Sequence, residues 1–136
     1  MADEGPIVLD ACALIAFTTS EPGAEVVGAY IAEPGRCRMH AINVAEVLYD
    51  AMRRDTSATL ARLTLDLGGL GVSVDWTLDD PLVGRAAEIK ATWRRVSLAD
   101  CFAVALAERL RGSLVTTAHH ELDPLAEAGF AIRFAR

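Results

Sequence analysis

Residues 7–16 read Ile-Val-Leu-Asp-Ala-Cys-Ala-Leu-Ile-Ala, and this stretch sets the fold class. Residues 7–9 are a short apolar run with two β-branched members, which predicts a buried strand. Asp10 follows directly, and an apolar helix is predicted over residues 11–17. A buried strand that passes through an acidic residue into a helix is typical of the carboxyl edge of a parallel sheet.

The remainder of the chain alternates predicted strands and helices. Strands are predicted at residues 38–40, 72–74, 114–116 and 131–134, and helices at residues 23–31, 43–53, 57–67, 81–93, 98–110 and 122–128. Gly112 is predicted to cap the helix over residues 98–110 at its C-terminal end. The order β-α-α-β-α-α-β-α-α-β-α-β predicts an α/β fold with helices on both faces of a mostly parallel sheet.

The composition predicts a single globular domain over residues 1–136. Of these residues, 52% are hydrophobic and 24% are charged, so the chain can bury a core without disulfides or structural metal. The net charge of -6 argues against a protein that holds nucleic acid by bulk electrostatics. This charge is compatible with an enzyme that contacts RNA at a metal site, and with a basic partner.

Cysteine usage and the start of the chain predict a cytoplasmic protein. Cys12, Cys37 and Cys101 are widely spaced without a zinc-binding pattern, so we expect reduced thiols that serve as small buried hydrophobes. The start Met-Ala-Asp-Glu-Gly-Pro is acidic and precedes no long apolar run, which argues against a signal peptide. The apolar stretches are too short to span a membrane.

Three carboxylates occupy equivalent positions in this pattern. Asp10 follows the first strand, Glu46 is predicted in the first turn of the helix after the second strand, and Asp100 is predicted in the first turn of the apolar helix near the fourth strand. Because strand ends and helix starts meet at one edge of a parallel sheet, we expect these carboxylates to converge. Their mutual repulsion would be relieved by Mg²⁺ or Mn²⁺, which prefer oxygen ligands.

A plainer interpretation remains open for each acid. Asn43 with Glu46, and Ser97 with Asp100, have the spacing of capping boxes, and Asp10 has the position of an N-cap. Acids at helix starts are also favoured by the helix dipole alone. Capping and metal binding are compatible, because Asn43 and Ser97 can cap while the acids turn toward metal.

Four segments of the chain resemble, in order, the four acidic motifs of PIN-domain nucleases. They are residues 7–16, 42–48, 97–107 and 114–122. The resemblance implies a three-layer α/β/α domain with about five strands, and one or two Mg²⁺ or Mn²⁺ ions held by Asp10, Glu46 and Asp100. In this interpretation Asp10 and Asp100 hold the principal metal, Glu46 shares it or orients the attacking water, and Asn43 and Ser97 support the acids.

The small size resembles the VapC-type toxins of toxin–antitoxin pairs. The resemblance therefore implies endonucleolytic cleavage of RNA, toxicity to the host and a cognate antitoxin that blocks the site. The apolar helices at residues 44–52 and 60–67 exceed what the sheet needs for cover, and we expect a groove for an antitoxin helix there. A homodimer is also expected, since closed pairs are the commonest assembly.

The sequence departs from the PIN pattern at Ala118, where the fourth motif usually carries an acid. Three explanations remain open. The site works with three acids; Glu121, or with less support Asp123 or His119, takes the fourth role; or the alanine is an engineered change that makes a toxic protein safe to express. The alternative function is a catalytically impaired PIN fold that binds RNA or a protein without cleavage.

Several further residues are candidates for supporting roles. Thr117 ends a strand next to the fourth motif and is expected to assist the site. Arg94 and Arg95 closely precede Asp100, which makes them candidates for contact with RNA phosphates. Exposure on a helix surface is the default interpretation of such basic pairs, including Arg53 and Arg54.

Overall fold

The computed structural model describes residues 5–136, in which five strands form one parallel sheet. The strands are β1 (Ile7–Leu9), β2 (Cys37–His40), β3 (Ser73–Asp75), β4 (Ser113–Thr116) and β5 (Ile132–Phe134). Their spatial order is β3-β2-β1-β4-β5, so the first strand lies at the centre. The predicted parallel sheet is confirmed, and every paired neighbour runs parallel.

Helices connect the strands in the predicted order. They are α1 (Ala11–Thr18), α2 (Ala24–Ile31), α3 (Ala41–Arg54), α4 (Leu60–Leu70), α5 (Asp80–Thr92), α6 (Leu98–Arg109) and α7 (His119–Glu127). Within residues 5–136, none of the helices has the length and apolar character needed to cross a membrane. Residues 1–4, which carry part of the expectation about a signal peptide, lie outside the described part of the chain.

The two faces of the sheet bury separate apolar cores. Successive side chains of a strand point to opposite faces. Val8 accordingly packs with the cluster that α5, α6 and α7 supply, whereas Ile7 and Leu9 pack with the cluster from α1 to α4. This arrangement confirms the α/β/α layering and buries β1 on both sides.

The predicted C-cap at Gly112 is wrong. Helix α6 ends at Arg109, Leu110 is its C-cap, and Arg111 takes the left-handed conformation with φ 55°. The amide of Arg111 donates to the Glu108 carbonyl and that of Gly112 to the Ala107 carbonyl, which closes the helix. Glycine is required at 112 for another reason, because a Cβ there would lie 2.0 Å from the Pro6 carbonyl oxygen.

The cysteines divide into two groups. Cys37 and Cys101 are buried, as predicted, but Cys12 is exposed, so the prediction that it is a buried hydrophobe is wrong. Cys12 lies in the first turn of α1, two residues after Asp10. All three are free thiols.

Candidate active site

Asp10 is the buried centre of the candidate site. It is the N-cap of α1, as predicted, and its Oδ1 accepts a hydrogen bond from the Ala13 amide at 2.8 Å. Its Oδ2 is buried and has no hydrogen-bond partner of good geometry within residues 5–136. Burial raises the pKa of Asp10 to about 6; hydrogen bonding from Thr116 and Ala13 opposes the rise, and the charges of Glu46 and Glu121 add to it.

Asp100 lies in the first turn of α6 and is almost fully buried. Its backbone amide donates to the Ser97 hydroxyl at 3.1 Å, which confirms Ser97 as the N-cap. Burial raises the pKa of the Asp100 carboxyl to about 7, and the charges of Asp10 and Glu46 contribute to the rise. The charges of Asp10 and Glu46 act on this carboxyl, which indicates that the three acids lie in the same part of the fold.

Glu46 lies in the second turn of α3, so its predicted place in the first turn is wrong. The reason is the N-cap: the His40 Nδ1 accepts a hydrogen bond from the Ile42 amide at 3.1 Å, and the helix begins at Ala41. Burial raises the pKa of Glu46, and the charge of Glu121 adds to this rise.

Asn43 does not cap α3, which contradicts the predicted capping box with Glu46. It is fully buried inside the helix, and its Nδ2 donates to the Ala99 carbonyl at 3.2 Å. This bond joins α3 to α6 at the residue before Asp100. The Oδ1 of Asn43 is buried and has no hydrogen-bond partner in the described part of the chain.

Glu121 is the fourth carboxylate that the fold brings to this region. It lies in the first turn of α7, and its charge acts on Asp10, Glu46 and Asp100. We call Asp10, Glu46, Asp100 and Glu121 the acidic cluster. Cys12 lies beside the cluster: desolvation and the charges of its carboxylates raise the pKa of the thiol to about 12.

The other two candidates for the fourth acid have different partners. The His119 Nδ1 lies 2.9 Å from the Asp123 carboxylate and its Nε2 lies 2.6 Å from the Arg136 carbonyl oxygen. Its ring also stacks on Phe134. His119 and Asp123 therefore tie α7 to the end of the chain.

Ala118 is the N-cap of α7 and offers no side-chain hydrogen bond to the helix. Its amide donates to the Thr116 hydroxyl at 3.0 Å. The Thr117 methyl lies toward Gly23, where an added Cβ would be 3.1 Å from it. Thr116, which sequence reasoning passed over, is the threonine that acts on Asp10. Leu9 of β1 pairs with Val115 of β4, so the residues that follow them, Asp10 and Thr116, lie side by side.

The donors of the acidic cluster suit a hard divalent cation. They are oxygen atoms only, and the buried Oδ2 of Asp10 has no hydrogen-bond partner of good geometry in the part of the chain that the structure describes. Within residues 5–136, no three His, Cys, Asp or Glu side chains lie close enough to hold one metal ion by direct contact. Mg²⁺ usually retains several waters and contacts only one or two carboxylates directly.

Comparison with known proteins assigns the fold. The family model of the PIN domain matches residues 7–127. The chain belongs to the PIN domain family. This PIN domain is 18% identical to a chain of a toxin–antitoxin complex from Klebsiella pneumoniae, with a TM-score of 0.71 over 96% of this chain and 98% of that one.

Two further solved structures share the fold. A chain of a DNA-bound VapBC complex from Salmonella typhimurium is 17% identical, with a TM-score of 0.68 over 96% of this chain and 98% of that one. The sarcin–ricin loop cleaving toxin VapC20 of Mycobacterium tuberculosis is 17% identical, with a TM-score of 0.62 over 91% and 95% of the two chains. A search of curated protein sequences gave no match.

Proposed function

We propose that this PIN domain is a metal-dependent endoribonuclease. The observation that carries the proposal is the acidic cluster: burial and the charges of neighbouring acids raise the pKa values of Asp10 and Asp100, and the buried Oδ2 of Asp10 has no hydrogen-bond partner of good geometry within residues 5–136. Four mutually repelling carboxylates are costly to hold in the folded protein unless a cation neutralises them. Membership of the PIN family and the fold of the VapC-type toxins support nuclease chemistry for this site.

In this proposal each acid has its own part. Asp10 and Asp100 hold Mg²⁺ or Mn²⁺, and Glu46 shares the ion or orients the attacking water. A bound divalent ion supplies a more acidic water and neutralises charge on the phosphate. Asn43 and Ser97 fix the relative position of α3 and the start of α6. The substrate is single-stranded or loop RNA, whose backbone can bend toward the sheet edge.

Glu121 takes the role of the fourth acid in this proposal. Its charge acts on all three other carboxylates of the cluster, although it lies three residues after Ala118. The Glu121 side chain is longer than an aspartate side chain at residue 118 would be, and it begins about one helical turn further along α7. We propose that Glu121 contacts the metal ion through a water molecule, because no three acids of the described residues lie close enough to bind one ion directly.

The test is Asp10→Asn assayed on labelled RNA with Mg²⁺ or Mn²⁺. Asparagine still accepts the Ala13 amide as an N-cap, so the substitution removes the charge and leaves the helix start intact. We expect cleavage to fall by at least about 100-fold. Asp66→Asn, an exposed acid paired with Arg62 on α4, is the matched control and should leave cleavage unchanged. Equal cleavage by D10N and the parent would refute the assignment.

Ala118 supports one alternative, a PIN fold that binds RNA or a protein without cleaving RNA. The same assay separates the two functions. A parent protein that binds Mn²⁺ and RNA but releases no cleaved product, under conditions where an active nuclease does, favours the alternative.

We further propose that the protein is a toxin neutralised by an antitoxin helix. Helices α3 and α4 expose apolar side chains that the sheet does not cover: Tyr49, Met52, Leu60 and Leu65. Such a surface is typical of a groove for an amphipathic partner helix. We propose a homodimer as the assembled unit. Expression of the protein should arrest growth, and co-expression of its cognate antitoxin should restore growth. Leu65→Asp should abolish this rescue. Light scattering measures the oligomeric state.

A further inference from the structure

The loop of residues 93–97 joins α5 to α6 at the acidic cluster, because Asp100 lies in the first turn of α6. We call it the arginine loop. Arg94 and Arg95 are both exposed. Neither guanidinium has an ion-pair or hydrogen-bond partner within residues 5–136, whereas Arg54, Arg62, Arg85 and Arg109 all pair with carboxylates. Two exposed cations without a partner among the described residues therefore closely precede Asp100 in the chain of an acidic protein.

The backbone of the arginine loop is held in place by hydrogen bonds and by packing against its neighbours. The ammonium of Lys90, half-buried on the last turn of α5, donates to the carbonyls of Arg94 and Val96, each at 2.7 Å. The Val96 amide donates to the Trp93 carbonyl at 3.0 Å, and the Val96 side chain is buried. Trp93 packs edge-on against Phe130, with ring centroids 6.4 Å apart. The Arg94 and Arg95 side chains, by contrast, are exposed to solvent.

We propose that Lys90 is a positioning residue that holds Arg94 and Arg95 as a binding site for RNA phosphates beside the acidic cluster. The proposal rests on the ribonuclease function proposed above. A polyanion approaching the cluster is repelled by its carboxylates, so cations at the rim are needed to hold the flanking backbone. Guanidinium groups match phosphate oxygens in a two-point geometry. A loop ordered before binding loses less conformational entropy when the RNA arrives.

The first experiment measures RNA affinity against salt. Fluorescein-labelled single-stranded RNA is titrated with the protein in EDTA, so that no cleavage interferes. Arg94→Ala with Arg95→Ala should lower the salt slope of log K by about 1.4, or about 0.7 for each lost phosphate contact. The control is Arg53→Ala with Arg54→Ala. These two arginines lie in the last turn of α3, whereas Glu46 lies near the start of that helix. It changes the net charge equally and should leave the slope unchanged.

The second experiment isolates Lys90. Lys90→Met keeps both arginines but frees the loop carbonyls, so we expect KM for RNA to rise about 3- to 10-fold with kcat unchanged. Lys90→Arg retains two donors and should restore most of the affinity. A merely structural role for Lys90 would lower thermal stability and leave KM unchanged, which would overturn the proposal for this residue.

The outcomes separate this inference from the proposed function. Equal salt slopes for the parent, the Arg94/Arg95 variant and the Arg53/Arg54 variant would overturn the phosphate site while leaving cleavage intact. The predicted slopes together with no cleavage of RNA by the parent would support the phosphate site and overturn the nuclease.

Discussion

The side-chain amide of Asn43 donates a hydrogen bond to the backbone carbonyl of Ala99 across 3.2 Å. The two residues are far apart in the chain, and the bond fixes the distance between α3 and α6 one residue before Asp100. Glu46 lies on α3 one turn after Asn43. The bond therefore links the two helices that carry two acids of the cluster, and its loss should affect chemistry more than folding.

Asn43→Leu should lower metal-dependent cleavage by about 10- to 100-fold, because outer partners of metal ligands have effects of this size. The free energy of unfolding should change little, since the substitution removes a buried amide whose Oδ1 has no partner within residues 5–136 and replaces it with a side chain of similar shape. Cleavage at saturating metal and denaturant unfolding measure the two effects. Ser97→Ala, which removes the α6 cap, should instead destabilise the fold by about 1 kcal/mol. A loss of stability without a loss of activity in N43L would contradict this prediction.

The acidic cluster should make the metal-free protein less stable as pH rises. The pKa values of Asp10 and Asp100 are raised from 3.8 to about 6 and about 7, so the folded state binds protons more tightly than the unfolded state. The resulting stability is fully present below pH 3.8 and is lost as pH rises through 6 to 7. Thermal unfolding with EDTA should show a higher Tm at pH 5 than at pH 8.

Divalent ions should reverse this trend, because they compete with protons for the same oxygens. Mg²⁺ or Mn²⁺ should raise Tm at pH 8 by roughly 5 °C and have much less effect at pH 5. Asp10→Asn should flatten the pH profile in EDTA and reduce the metal effect. An identical Tm at pH 5 and pH 8 in the metal-free protein would show that the pKa values of Asp10 and Asp100 are not raised in the folded state.

The order of elements could be predicted from the sequence because apolar periodicity and capping residues are local. The buried run at residues 7–9 and the Ser97 cap were confirmed for this reason. The start of α3 could not be predicted, because its cap is a histidine whose ring also contacts the Thr77 carbonyl and stacks on Phe102. Those partners come from distant segments of the chain.

The candidate site was predictable at the level of which acids converge, and less so in its details. Parallel topology alone predicts that Asp10, Glu46 and Asp100 lie at one edge of the sheet. Thr116, rather than the predicted Thr117, hydrogen-bonds to Asp10, and the sequence could not reveal this because it depends on the register of β4 beside β1. Glu121 was one of three candidates, and the contacts of His119 with Asp123 and Arg136 are what separate it from the others.

Two glycine substitutions should have opposite effects on stability. Gly112→Ala should destabilise the protein by about 3 kcal/mol or more, because its Cβ would meet the Pro6 carbonyl group and force the backbone apart. Gly68→Ala, inside α4 with nothing within 4 Å of the added Cβ, should stabilise the protein by about 0.5–1 kcal/mol. Urea unfolding of both variants measures the difference. A neutral G112A would show that the start of β1 can move away from residue 112.

Glu121 and Ala118 provide the last prediction. Glu121→Gln should weaken Mn²⁺ binding in calorimetry and lower cleavage by about 10-fold or more, because the cluster loses the charge that acts on its other three acids. Asp123→Asn, on the same helix but paired with His119, is the control and should bind Mn²⁺ like the parent.

Ala118→Asp should restore Mn²⁺ binding and cleavage to the Glu121→Gln protein, because it returns a carboxylate to the position at which the PIN pattern usually carries one. Asparagine and aspartate cap a helix equally well, so Ala118→Asn reproduces any gain from capping α7 while adding no charge. Rescue by aspartate but not by asparagine would show that the fourth negative charge matters and that Glu121 supplies it in this chain. If Glu121→Gln binds Mn²⁺ as tightly as the parent, the site works with three acids and Glu121 is only a neighbour of the cluster.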